Sequence, residues 1–125
     1  MIKLVYCVRR KAEIEADEFF RYWLDEHGPL VKSVAQVLNA RRYVQSHSTE
    51  AKVNAGLSQD RGLGEPFDGI TEVWWDSVDE LIAGSTSPGG QAASKRLQED
   101  ESHFIDFADS RLFLTEEHAI FDFTD

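Results

Sequence analysis

One cysteine, Cys7, occurs among the 125 residues, so no disulfide can form within the chain. Basic residues are scarce: 13 Lys and Arg stand against 23 Asp and Glu, for a net charge of −10. A phosphate backbone demands a concentrated basic surface. The one local cluster, Arg9-Arg10-Lys11, runs at once into acids, which argues against a nucleic-acid partner. No apolar run approaches the roughly 20 residues of a membrane span, and "MIKLVYCVRR" is too short and too strand-like for a signal peptide. A soluble, cytoplasmic protein without membrane association is the expectation. Repeats, low-complexity tracts, a Gly-rich phosphate loop and a serine-nucleophile motif are all missing. The histidines, His27, His47, His103 and His118, lack metal-site spacing, so no metal is expected. The length suits one domain, residues 1–125, with one core.

What is present reads as alternating strands and helices. Ile2 to Arg9 is rich in β-branched and aromatic residues and reads as a strand. A helix starts near Glu15 to Asp17, with acids in its first turn. Phe19, Phe20, Trp23, Leu24 and His27 then recur at spacings of 3 and 4 and share a face. Gly28-Pro29 is expected to break that helix, because proline disfavours the α region for the residue before it. A second helical period resumes from Leu30 to Leu38. Arg41 to His47 reads as a second strand and Ile70 to Trp75 as a third. Between them Thr49 to Pro66 is polar, with a turn or two of helix in "EAKVNAGL". Ser77 with Glu80 forms a capping-box pattern for a short helix ending near Gly84. Ser87-Pro88 starts another, on which Ala93, Leu97, Asp100 and Phe104 form a stripe. Arg111 to Thr115 reads as strand four, and His118 to Phe123 as a further extended segment.

The order β-α-β-β-α-β predicts an α+β, ferredoxin-like protomer: a four-stranded antiparallel sheet with helices on one face. Both sheet faces look too apolar for water, since Val5 and Cys7 oppose Leu4, Tyr6 and Val8, and Phe113 opposes Leu112 and Leu114. Two sheets packed face to face would satisfy both. The expectation is therefore a homodimer forming an α/β barrel around a cavity, with the Ala119 to Phe123 tail completing an edge or crossing to the partner.

The run Phe19-x-x-x-Trp23-x-x-x-His27-Gly28-Pro29-Leu30 resembles the signature of the EthD family, as do "FDGITEVWW", "EDESHFID" and "EEHAIF". The resemblance covers Ile2 to about Phe121. It implies a dimeric α/β barrel of ferredoxin-like protomers with no bound metal or organic cofactor. Proteins of this kind include cofactorless monooxygenases, cyclases and dehydratases of polyketide tailoring and isomerases of muconolactones. The namesake is linked to ether-degradation gene clusters.

His27 sits on the buried-looking face beside Trp23, where an imidazole suits general acid–base work. The alternative is a structural histidine bonding a carbonyl freed at a helix end. Asp100 is either a buried carboxylate needing a partner such as histidine or a solvated residue at the stripe's edge. Glu72 shares a face with Ile70 and Trp74. It is either a carboxylate in the apolar cavity or a cross-sheet partner of Arg41 or Arg42. Tyr6, Tyr43 and Trp74 suit an aromatic ligand wall, or plain core. Trp23, Phe104 and His118 complete the expected substrate-binding set. Cys7 defaults to a small buried hydrophobe. The leading functional expectation is a cofactorless enzyme moving protons through His27, oriented by Asp100 or Glu72, on a small apolar cyclic or aromatic ketone, quinol or lactone. One alternative is a non-catalytic binding protein with the same cavity. Another is a structural dimer whose interior is filled by Trp74, Trp75 and Phe113.

Overall fold

The computed structural model describes residues 1–125. Strands β1 (Ile2–Val8), β2 (Arg42–His47), β3 (Gly69–Trp75) and β4 (Arg111–Thr115) form one sheet of order β2-β3-β1-β4. Every neighbouring pair is antiparallel. This is the ferredoxin-like arrangement anticipated from the element order. Helices α1 (Ala16–Tyr22), α2 (Gly28–Val34), α4 (Val78–Thr86) and α5 (Pro88–Glu101) cover one face, and α3 (Ala51–Asp60) fills the β2–β3 insertion. No helix is long and apolar enough to cross a membrane.

Register assigns each strand residue to a face. Leu4 pairs with Val73 and Leu114, and Tyr6 with Thr71 and Leu112, on the helix side. Val5 pairs with Glu72 and Phe113 on the other, where Ile70 and Trp74 also lie. Alternation carries these assignments through the sheet. The core lies under the helices: Val8, Phe19, Trp23, Phe104 and Ile105 are almost fully buried. Burying a side chain such as Phe19 contributes about 1.5–3 kcal/mol. The outer face is only partly covered, and Phe113 there is half exposed.

The serine caps form as their sequence predicts. Ser77 Oγ accepts from Glu80 N–H and Ser87 Oγ from Gly90 N–H, each worth about 1 kcal/mol. The helix after Ser77 runs past Gly84 to Thr86. Gly84 is needed for close approach, since a Cβ there would lie 2.3 Å from the Leu38 carbonyl oxygen.

Gly28-Pro29 does not break the first helix. Gly28 keeps helical torsions (φ −53°, ψ −53°), and α1 continues into α2 through a π-helical segment, Trp23–His27. Gly28 N–H bonds the Trp23 carbonyl, five residues back. In an α-helical turn the Pro29 ring would collide with the carbonyl four residues earlier, and the wider π turn relieves that collision. Glycine, lacking a Cβ, tolerates the α region before proline better than other residues. Gln45 Nε2 also donates to the Trp23 carbonyl, at 2.8 Å. Beyond β4, His118 to Phe123 pairs with no strand of this chain and bends at Ile120.

Candidate active site

The π segment delivers His27 into the interior, 5% exposed, with its ring edge against Phe104 at 5.2 Å between centroids. His27 Nδ1 lies 2.7 Å from Asp100 Oδ2 on α5. Tyr22 donates to the other oxygen, Asp100 Oδ1, at 2.5 Å. The helical segment that carries Tyr22 and His27 and the helix that carries Asp100 thus meet at a Tyr22–Asp100–His27 chain. The imidazole is no helix cap, and its partner is a carboxylate rather than a freed carbonyl.

The electrostatics follow from burial and these bonds. Desolvation lowers His27 below the ordinary imidazole value, against the raising effect of Asp100, so the ring is neutral at neutral pH. Burial pulls the Asp100 carboxyl up, but the bonds from Tyr22 and His27 together outweigh it and leave the pKa lowered. The Tyr22 hydroxyl is pushed up to about 12, chiefly by its bond to Asp100. An ionised Asp100 only accepts, so Nδ1 carries the imidazole proton and Nε2 the lone pair. A histidine so held can take a proton at Nε2.

His27 opens onto a cavity of about 480 Å³ between sheet and helices. The cavity is mostly apolar, walled by Tyr6, Trp23, Tyr43, Val73, Leu97 and Leu112 among others. It lies inside one protomer, on the helix side of the sheet, rather than between two sheets. Of Trp74, Trp75 and Phe113, only Trp75 lines this cavity, because the other two lie on the opposite sheet face. A second recess of about 450 Å³ flanks β2, sharing Val31 and Tyr43 with the first and bordered by Lys32, Arg41 and Arg42.

Of the residues singled out from sequence, His27, Tyr6, Trp23 and Tyr43 line the cavity, and Asp100 holds His27 from behind. Phe104 is core beneath the histidine, 1% exposed, and supports the site without lining it. Glu72 and Trp74 lie on the opposite sheet face. There Glu72 accepts from Lys3 Nζ at 2.7 Å, not from Arg41 or Arg42. Trp74 Nε1 donates to Glu117, with Lys3 and Arg42 over its ring. Strand parity puts them there: Glu72 pairs with Val5, not with Leu4 or Tyr6. His118 is exposed in the tail beside Glu116. None of these three reaches His27. No three His, Cys, Asp or Glu side chains gather as a metal site would require.

Glu101 is the residue the sequence reading passed over. It lines the cavity and accepts from the Tyr6 hydroxyl at 3.1 Å. Burial, aided by the Asp100 charge and opposed by the Tyr6 bond, raises its carboxyl to about 7. The Tyr6 hydroxyl is itself raised, first by burial and then by Glu101. The available signal was its position four residues after Leu97, the second limb of the same stripe.

The fold and the pocket place the chain in a class: small α+β proteins of ferredoxin-like topology, here with a buried carboxylate–imidazole pair beside an apolar pocket. Residues 11–108 match the EthD domain model, and the chain belongs to the EthD family. No curated protein matches the sequence. Among solved structures, an EthD family protein from Bacillus halodurans aligns with a TM-score of 0.62 at 19% identity, covering 94% of this chain and 99% of that one. A dimeric protein of unknown function and ferredoxin-like fold from Bacteroides fragilis gives 0.57 at 11%, covering 93% and 95%. A Deinococcus radiodurans protein, provisionally described as an antibiotic biosynthesis monooxygenase, gives 0.54 at 13%, covering 100% of both. At these identities the likeness establishes the shared fold.

Proposed function

We propose that the protein is a small enzyme that binds an apolar cyclic or aromatic ketone, quinol or lactone between sheet and helices and moves a proton through His27 Nε2. The observation that carries this reading is the His27–Asp100 contact, 2.7 Å long and buried at the wall of an apolar cavity. Asp100 fixes the tautomer and steadies the imidazolium formed when Nε2 takes a proton from carbon or oxygen. The neutral resting imidazole suits a base at neutral pH. Proton removal beside a carbonyl is the shared first step of isomerisation, dehydration and substrate-activated oxygenation. The likeness to a monooxygenase-type fold agrees with that chemistry without choosing among them. The half-covered outer sheet face and the dimeric Bacteroides protein support a homodimer built sheet to sheet.

The test is hydrogen exchange on 2-tetralone, an aromatic cyclic ketone with acidic α-hydrogens, in D₂O. The expected result is exchange above the uncatalysed rate, lost in His27→Ala with the ketone still bound. Binding without exchange in either protein would reduce the cavity to a non-catalytic ligand site.

A further inference from the structure

Glu101 stands in the same cavity as His27 yet has no part in the dyad. Its Oε1 accepts from Tyr6, and Oε2 has no partner within the chain. We propose that Glu101 is the site's second proton-carrying group, a neutral carboxylic acid whose Oε2–H donates to the carbonyl oxygen of the ligand while His27 Nε2 withdraws the α-proton. This rests on the proposed proton-transfer reading and narrows it to carbonyl compounds that pass through an enol.

The step balances. The α C–H bond breaks and its proton goes to Nε2. The C–H electron pair forms the C=C bond of the enol, the C=O π pair withdraws to oxygen, and the Glu101 proton forms the new O–H. An imidazolium and a carboxylate result, and the reverse step, with a proton returned to the same or another carbon, restores both groups. Asp100 and Glu101 are adjacent on α5, yet one acid is tied by two donors and the other meets an apolar wall. Environments that push neighbouring acids apart in this way assign them different tasks.

Between about pH 6.5 and 8.5 Glu101 is the group facing the ligand that changes charge. Its carboxyl titrates near 7. Around it His27 is lowered and stays neutral, Asp100 is lowered and stays ionised, and Tyr6 and Tyr43 are raised and stay protonated.

The experiment measures 2-tetralone affinity across that range, alongside α-hydrogen exchange. Wild-type affinity should fall roughly 20-fold from pH 6.5 to 8.5, following the protonated fraction. In Glu101→Gln, whose amide donates at every pH, it should be flat, with exchange reduced at least tenfold. Tyr6→Phe removes the bond that favours the carboxylate and should move the midpoint to higher pH. A flat wild-type profile, or one that Glu101→Gln leaves unchanged, overturns the proposal while His27-dependent exchange would leave the parent reading standing. Absence of both binding and His27-dependent exchange overturns both.

Discussion

Tyr22, Asp100 and His27 form one hydrogen-bonded chain. Asp100 receives both Tyr22 and Nδ1, so its removal leaves the imidazole free to choose the other tautomer. Asp100→Asn should lower 2-tetralone exchange by about 10²- to 10⁴-fold with little change in affinity, which separate rate and binding measurements would resolve. The rate should also be bell-shaped in pH. It rises as His27 loses its proton, below the ordinary 6.5, and falls as Glu101 ionises near 7. Glu101 carries a stability signature of its own. Its folded pKa exceeds the ordinary 4.5, so folding retains a proton that the unfolded chain releases, and stability declines as pH rises from about 4.5 to 7. The cost at pH 8 is on the order of 3 kcal/mol. Glu101→Gln should therefore raise the unfolding temperature relative to wild type more at pH 8 than at pH 5, as calorimetry at the two pH values would register. His27 and Asp100 are lowered and act the other way, losing stability below about pH 6.5 and 3.8 respectively.

At the scale of elements, periodicity carried much of the site. His27 and Asp100 were readable as inward residues because each falls on a 3-and-4 stripe whose other members are apolar. The π turn was not readable, because Gly-Pro is a stop signal in a chain considered locally and only packing decides otherwise. Gln45, from β2, also bonds the Trp23 carbonyl of that turn, a long-range contact that no window of sequence contains. Strand parity grouped Glu72 correctly with Ile70 and Trp74, but both faces are apolar, so alternation could not say which one the helices cover. Glu101 was hidden by its neighbour, since Asp100 and Phe104 already completed the stripe. One element boundary is critical to the pocket. A Cβ on Gly69 would lie 2.5 Å from the Ser46 carbonyl and 2.6 Å from the Trp23 ring. Gly69→Ala should cost about 1–3 kcal/mol by overpacking and weaken 2-tetralone binding, as denaturant titration and ligand titration would record.

At the scale of the whole molecule, the two faces of the sheet differ. The helix side holds the cavity, and the outer side offers Val5, Ile70 and Phe113 around the Lys3–Glu72 pair. A patch of that kind left wet is unusual for a monomer. Light scattering should give a mass twice the 14.2 kDa of the chain. Phe113→Glu should return a monomer, with the cavity intact because Phe113 points away from it. A wild-type monomer would remove the dimer from the account but leave the pocket chemistry untouched.

The proposed proton transfer depends on one state of one ring. The direct measurement is nitrogen-15 NMR of the His27 imidazole at pH 7, assigned by its loss in His27→Ala, with and without 2-tetralone. The expected spectrum is that of a neutral ring with the proton on Nδ1 and a bare Nε2 whose resonance moves when the ketone binds. A proton on Nε2, or an imidazolium at that pH, would contradict a base aimed into the cavity.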